Sequence, residues 1–427
     1  MTDQSVSTFT THSEIASDQT ISLADRIVLR ELARRVAELA ARPCEQEKRN
    51  LWYAHNNLEP TRPVIFCDPE NGWHEIIPDA TLQCSGLLAR SWEMRLRKEI
   101  FWGTEMQDDR VIMPTFDISH VYTDGDWGLR PVKIGGQDGG SYRWDPPLKD
   151  YARDFERLRF PQITIDQGAT QRVLALAQET LGDLLTVRLK TAWWWSLGMT
   201  WTLIDLRGMM EMMYDIGLHP TELHRLMAFL RDGHQARLDF LEQNGLLSLN
   251  NDGTYVGSGG FGWTHALPQP DFAGRVRLRD LWGFGESQET TLISPAQFEE
   301  FVFQYQLPIL ERFGLNCYGC CEPLEARWHV VMRVPHLRRV SVSPFAHIEK
   351  MADFLGDRYI FSWKPSPMDL AGPTFDEELI RRKLREGFRA TRACRVEAIM
   401  KDNHTIGRDP RRVVRWVAIA REEAEAL

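Results

Sequence analysis

Gly314-Leu315-Asn316-Cys317-Tyr318-Gly319-Cys320-Cys321-Glu322-Pro323-Leu324 puts three of the chain's seven cysteines within five positions. The segment lies between a predicted strand and a predicted helix, the junction where α/β proteins commonly place chemistry. Working outward, the helix before it has a clear start: Ser294 caps, Pro295 takes the first helical position and Gln297 closes a capping box, with the helix running to about Phe313. After it come a helix over 322–334, a strand at Arg339-Val340-Ser341-Val342, a helix over 345–355 and a strand at Tyr359-Ile360-Phe361-Ser362-Trp363. A second capping box, Thr374 with Glu377, opens a helix to about Arg389. Strand Val396-Glu397-Ala398-Ile399-Met400 leads into Lys401-Asp402-Asn403-His404, and Asp409 with Pro410 starts the last helix.

The same alternation is legible upstream. Apolar residues recur at helical spacing from Leu23 to about Arg42, and Val64-Ile65-Phe66-Cys67 reads as a buried strand ending at Asp68. Residues 76–112 read as mainly helical, followed by strand or loop at Val111 to Pro114. A helix over 167–182 precedes a strand at Leu185 to Leu189, helices follow at 201–215 and 220–243, and Leu246 to Leu249 reads as a short strand. Strands alternating with helices of 10–20 residues indicate a parallel sheet, and about eight such units favour a closed (β/α)8 TIM-type barrel. No Gly-x-Gly-x-x-Gly turn follows an early strand, which counts against an open dinucleotide-binding sheet. The expected organisation is a disordered leader over 1–22, an N-terminal helical extension over 23–60 and a single barrel domain over 61–427. A Gly- and Trp-rich insertion or lid is expected near 117–160.

With 43% hydrophobic and 26% charged residues, the 427-residue chain has the composition of a globular protein. A net charge of −9 and the absence of a Lys/Arg-rich run exclude a nucleic-acid surface, and no apolar stretch approaches the ~18 residues of a membrane helix. Without a signal peptide, a cytoplasmic location is expected. An odd number of irregularly spaced cysteines argues against a disulfide framework and leaves ligand or reactive roles open. The 15 tryptophans suit either core packing or a deep aromatic pocket.

In a barrel, functional side chains gather at the C-terminal ends of the strands. Those ends carry Asp68, Lys190, Asn250 to Asp252, Cys317 to Glu322, Ser343, Lys364 and Lys401 to His404. The cysteine segment admits three readings. As a metal site, Cys320, Cys321 and His404 would hold Zn²⁺, with Glu322 as a further candidate, and an open zinc position would bind a thiol and lower its pKa. As a redox site, Cys317-Tyr318-Gly319-Cys320 is a Cys-x-x-Cys. As structure, the thiols simply pack. Asp402, Lys401 and Glu322 are the candidate acid–base groups, with Asp402 also placed to orient His404. Asp68, Lys190, Lys364 and Tyr318 are the candidate substrate contacts, Lys364 presenting a cation to an anionic substrate or lying in a surface turn with Pro365-Ser366-Pro367. Asp108-Asp109 reads as a solvated helix end, and Gly283-Phe284-Gly285-Glu286 as a weak phosphate loop.

From about Arg62 onward, and most clearly from Ile293-Ser294-Pro295 through Pro367, the chain resembles the uroporphyrinogen decarboxylase superfamily, including its cobalamin-linked methyltransferases. The resemblance rests on the Ser-Pro helix start, on Tyr318-Gly319-Cys320-Cys321 in place of a His-x-Cys-Gly-like site, and on Leu355-Gly356-Asp357 followed by Pro365 and Pro367. It implies a (β/α)8 barrel and a zinc-dependent transfer of a methyl group between a small methylated compound or thiol and a corrinoid carried on a partner protein, in a protein that is a candidate homodimer. Two departures stand out. Asp68-Pro69-Glu70-Asn71-Gly72 replaces the arginine-rich segment of the porphyrinogen decarboxylases, and Tyr318 stands where the methyltransferases have the histidine ligand. The distal ligand is Cys394 or His404, and His404 is favoured because it follows the last strand. The alternatives are a metal-free decarboxylase, whose pocket cations stabilise a developing carbanion, and a non-catalytic binding partner of a corrinoid protein.

Overall fold

In a computed structural model of the chain, residues 20–135 and 142–426 are described. The expected leader falls almost wholly outside them. Leu23–Ala40 and Pro43–Asn56 are the first helices, the former capped by the Ser22 hydroxyl accepting from the Asp25 N–H.

A six-stranded parallel sheet carries the molecule. Its strands are β1 (Val64–Cys67), β10 (Trp282–Gly285), β11 (Leu315–Tyr318), β12 (Leu337–Val342), β13 (Ile360–Trp363) and β14 (Arg395–Met400), in the order β1-β14-β13-β12-β11-β10. A separate parallel pair joins β2 (Thr115–Ile118) to β7 (Thr186–Leu189). Helices such as Gln167–Leu181, Glu377–Ala390 and Arg411–Glu425 connect and cover these strands. β1, β10, β11 and β13 are buried along their whole length, as expected of a parallel sheet covered on both faces. Among the described residues no helix is long and apolar enough to cross a membrane.

The two outer edges of the six-stranded sheet are finished by side chains. At β1, the Ile65 N–H donates to Asp109 Oδ2 and the Cys67 N–H to Asp108 Oδ2, both carboxylates being fully buried. At β10, Asn250 uses its amide as a strand residue uses its backbone, accepting from the Trp282 N–H and donating to the Trp282 carbonyl. Each device satisfies edge groups that would otherwise be unpaired. Three expectations are corrected here. Asp108-Asp109 is a buried edge clamp and not a solvated helix end. Leu246 to Leu249 forms no strand, because Asn250 does that work with one side chain. Gly283 to Glu286 is no loop, since its first three residues lie in β10.

The Ser294 capping box is present, and the helix it opens continues through Pro295–Phe298, a π-turn at Glu299–Phe303 and Gln304–Leu310. The helix expected over 322–334 shrinks to Trp328–Val331, since the preceding residues turn back to hydrogen-bond their own strand end. The Thr374 cap is replaced by Asp376, whose carboxylate accepts from the Leu379 N–H. The Gly-rich region holds β3 (Tyr122–Asp124), paired antiparallel with β6 (Ile163–Ile165), and a hairpin of β4 (Val132–Gly135) with β5 (Tyr142–Asp145), tied down by Trp144 Nε1 donating to the Ile204 carbonyl. The last residues of β2 fall inside the span expected to be an insertion.

Between β7 and β10 lies a short hairpin, β8 (Tyr255–Val256) with β9 (Gly260–Phe261), buried from Val256 to Phe261. Its glycines permit contact with the sheet. A Cβ on Gly257 would stand 2.8 Å from Cys317 Cβ, and one on Gly260 2.4 Å from Arg339 Cζ. The hairpin therefore packs against the inner side chains of β11 and β12 with only backbone to spare.

Candidate active site at the strand ends

Side chains alternate along a strand, so one face of each strand is shared by residues two apart. On β14 this aligns Glu397 with Lys401 just beyond the strand; on β13, Ser362 with Lys364; on β12, Arg339 with Ser341 and Ser343. The contacts place these on the inner face. Arg339 Nε lies 2.9 Å from Glu397 Oε1, and Lys364 Nζ donates to Ser362 Oγ at 2.6 Å. Because the strands are parallel, Asp68, Lys401, Lys364, Ser343, Gly319-Cys320 and Glu286 all follow strand ends at one edge of the sheet.

The two thiols meet there. Cys320 Sγ and Cys321 Sγ are 3.7 Å apart, and Cys321 Sγ is 3.8 Å from Asp402 Oδ2. β11 and β14 are separated by two strands, and in a flat sheet that separation would be about 14 Å. Contact between their following residues shows that the sheet curls strongly around the thiols. Cys320 is clamped at three atoms: its N–H donates to Glu322 Oε2, its carbonyl accepts from Ser341 Oγ, and its sulfur accepts from Ser258 Oγ at 3.4 Å. Cys321 is the more open of the two. Its thiol is pushed well up, first by its hydrogen bond to the Cys320 sulfur and then by burial.

The charged groups around the thiols form one chain. Lys401 Nζ lies 2.8 Å from Asp402 Oδ1 and 3.4 Å from Glu70 Oε1, and the Asp402 N–H donates to Glu70 Oε2. Burial draws Lys401 down, but Glu70 and Asp402 outweigh it and hold the ammonium charged, well above its ordinary value. Burial pushes Asp402 up; the Lys401 charge overcomes that and keeps it a carboxylate. Glu70, with burial raising it and Lys401 opposing, rests at about 7. Asp402 and Glu70 both have left-handed backbone, with φ of 61° and 50°. Such strain in non-glycine residues gathers at functional sites. Tyr255 lies within reach of the charges of Lys401, Asp68, Glu70 and Asp402 and is 36% exposed, so solvent reaches this side of the group.

Lys364 is nearly fully buried, with Nζ turned back to the carbonyl and hydroxyl of Ser362, and is no surface turn. Burial lowers its pKa to about 8. On the far side of the thiols, Glu286, Glu289 and Glu322 are buried close together. Burial, then the charges of Glu289, Glu322 and Cys320, push the Glu286 carboxyl well up and keep it protonated.

Several expected residues stand elsewhere. Tyr318 occupies the opposite face of β11 from Cys317 and donates to Gln306 Oε1, so it is core and not cavity lining. Glu322 is spent on the Ser287 and Cys320 N–H groups, which makes it a clamp of the loop. Asp68 accepts from the Glu70 N–H and Trp73 Nε1, and Lys190 is held by both oxygens of Asp252. His404 is exposed, with Nδ1 3.1 Å from Asn71 Nδ2. Cys394 lies at the opposite end of β14, its Sγ against the Ala352 carbonyl. Cys317 faces Arg339 and Gly257. The set Cys320, Cys321, His404 is thus not assembled, and among the described residues no group of three or more His, Cys, Asp or Glu is arranged to hold a metal ion. From the loop after β14, Asp402 reaches the thiols.

Sequence reasoning passed over Glu70, Glu286 and the hairpin bearing Ser258. Gly257-Ser258-Gly259-Gly260 between two aromatics was a usable signal, since clustered glycines mark close backbone approach. Glu70 lies in the quoted segment after β1, where Asp68 drew attention as the strand's last residue.

No protein-family model matches the chain, and no curated protein matches it. Among solved structures, a methyltransferase from Methanosarcina mazei is similar at 12% identity, over 88% of this chain and 97% of that one, with a TM-score of 0.49. A likeness that slight says nothing of substrate, metal or carrier.

Proposed function

We propose that this chain is a thiol-centred enzyme of methyltransferase type, built on a (β/α)8 barrel whose eight parallel strands are the six-stranded sheet and the β2–β7 pair. The methyl group would pass between a small methylated compound or thiol and a corrinoid carried by a partner. The observation that carries the reading is the Cys320–Cys321 pair, held 3.7 Å apart at the strand ends beside Asp402. Sulfur is the strongest nucleophile among ordinary side chains, and its activation needs a nearby proton acceptor and cation. Asp402 stands against the Cys321 thiol to take its proton, and Lys401 charges the site. The buried Lys364 supplies a cation for an anionic substrate group, and Tyr255 lines the cavity.

Zinc enters this reading through two donors. Two thiolates on one tetrahedral zinc lie about 3.8 Å apart, given Zn–S bonds of about 2.3 Å, which is the spacing of Cys320 and Cys321. When bound, the metal would lower the pKa of a thiol in the cavity. Among the described residues no third donor is arranged beside the two sulfurs, and His404 does not reach. Metal analysis and a methyl-transfer assay with methylcob(III)alamin and a small thiol form the test. Transfer that disappears in Cys321→Ser supports the reading, while undiminished transfer in that variant would sink it. A carboxy-lyase reading has one observation in its favour, the buried Lys364 ammonium, which could stabilise a developing carbanion. Chelator-insensitive release of CO2 from a carboxylated substrate would favour it.

A further inference from the structure

Cys320 and Cys321 are consecutive residues whose sulfurs also meet in space, 3.7 Å apart. Consecutive side chains on a strand point to opposite faces, so such a meeting requires that the chain has left the strand. Here β11 ends at Tyr318, and Gly319 turns the chain with φ of 92°, a conformation that favours glycine. The other thiols are placed differently. Cys44, Cys84, Cys317 and Cys394 each rest their sulfur on a carboxylate, a carbonyl or a guanidinium and not on a second thiol. To bond, the Cys320 and Cys321 sulfurs need only come closer by about 1.7 Å. Cys320 is the anchored partner, with its N–H on Glu322 and its carbonyl on Ser341. Cys321 is the more exposed and meets a dissolved reagent first.

We infer that Cys320 and Cys321 are a redox-modification site: hydrogen peroxide closes them into a vicinal disulfide, and a thiol reopens it. The Cys321 sulfur attacks the peroxide, the O–O bond breaks, an S–OH group forms and water leaves with the thiol proton. The Cys320 sulfur then attacks the S–OH sulfur. The S–S bond forms as the S–O bond breaks, and a second water carries off the Cys320 proton. Two electrons have passed from the sulfurs to the peroxide. Neighbouring Cα atoms stand about 3.8 Å apart across a trans peptide, short of the roughly 4.4 Å at which ordinary disulfides begin. The small ring is therefore strained, and the Ser341 hydrogen bond resists rotation of the peptide inside it. A strained disulfide is readily reduced, which makes this one a switch and not a permanent bond. Closure takes both sulfurs out of methyl transfer. That consequence rests on the thiol-centred reading, whereas the bond itself does not.

The test uses the intact chain, reduced, treated with a chelator so that no metal shields the sulfurs, and exposed to hydrogen peroxide. Remaining thiols are blocked with N-ethylmaleimide in denaturant. Mass spectrometry then reads the tryptic peptide running from Phe313 to Arg327, which carries Cys317, Cys320 and Cys321. The expected peptide is two hydrogens lighter and blocked at Cys317 alone, and glutathione returns it to a form blocked at all its cysteines. Methyl transfer should fall in proportion to the closed fraction and recover with the reductant. A bond between Cys317 and Cys320, or a sulfinic acid on Cys321 without any S–S bond, would overturn the inference. So would a pair that stays reduced while Cys44 is oxidised, or a bond that glutathione leaves closed. Reversible closure with undiminished transfer would fault the proposed reaction and leave the modification standing. Transfer that requires both cysteines in a chain that never closes would do the opposite.

Discussion

Two charged networks sit on the inner faces of the same strands, a few residues apart, and they differ in how completely they are closed. The lower one joins Arg339, Glu397, His55 and Ser362, all essentially without solvent contact. Glu397 receives Arg339, His55 and the Ser362 hydroxyl, and Arg339 also donates to Asn56 Oδ1. Burial raises the Glu397 carboxyl, but Arg339 and His55 more than reverse this, and it stays ionised below its ordinary range. The upper network, Glu70, Lys401, Asp402 and Cys321, repeats the alternation of acid and base but is open to solvent, with side chains of Asp402 and Glu70 33% and 21% exposed. The lower network is sealed from solvent even though His55 Nδ1 has no hydrogen-bond partner there, while the upper one is open to solvent and so to a ligand. Lys364 lies between the two, tied to the lower by Ser362 and buried like it.

The comparison breaks most severely at Arg339. Arg339→Leu leaves Glu397 buried without its main partner, and such losses cost about 3–5 kcal/mol. A lowered denaturant midpoint with unchanged m-value would register it, whereas Asp402→Asn in the open network should change the unfolding free energy by less than about 1 kcal/mol. Equal losses from both would erase the distinction.

Lys364 sharpens it with a pH dependence. Its folded pKa, about 8, lies below the 10.5 of the free side chain. Between those values the unfolded chain binds more protons, so stability contributed by this group rises with pH from about 8 to 10.5. At pH 7 the strain of keeping it charged amounts to about 3 kcal/mol. Lys364→Met should therefore stabilise the chain at neutral pH by an amount of that order, flatten the rise above pH 8 and lower activity. A destabilised variant with the rise intact would contradict this assignment.

Asn250→Ala probes the seam at β10, where one amide substitutes for a strand. Two part-buried hydrogen bonds disappear and the Trp282 backbone loses its partner on that side, for a loss of about 2 kcal/mol. Hydrogen exchange should accelerate at the Trp282 amide well before the inner strands of the sheet. Smallest is the expected effect of His404→Ala. The ring is exposed and its polar contact is to Asn71, so stability should change by less than about 0.5 kcal/mol and metal content not at all. A loss of bound metal in that variant would restore His404 as a ligand.

The parallel sheet and most of its strands were legible because hydrophobic runs, Ser-Pro starts and strand-end polar residues are local signals. The gathering of Asp68, Lys364, Lys401, Asp402, Cys320 and Cys321 followed from parallel order alone. What was not legible depends on direction. Tyr318 and Cys317 are neighbours in sequence and face opposite sides of β11, and the choice between Asp402 and His404 turns on a two-residue difference in a loop with a left-handed residue. The edge clamps made by Asp108, Asp109 and Asn250 replace backbone pairing with side chains, which no periodicity reports. The hairpin bearing Ser258 is too short and glycine-rich to give a strand pattern.

The central claim is that Cys320 and Cys321 together form the reacting centre. A serine scan across Cys317, Cys320, Cys321 and Cys394, reading methyl transfer from methylcob(III)alamin to a small thiol in equally folded variants, tests it most directly. The account predicts losses of about 100-fold or more at Cys320 and Cys321 and near-natural rates at Cys317 and Cys394. Transfer that survives at both Cys320 and Cys321, or falls equally at all four, would contradict it.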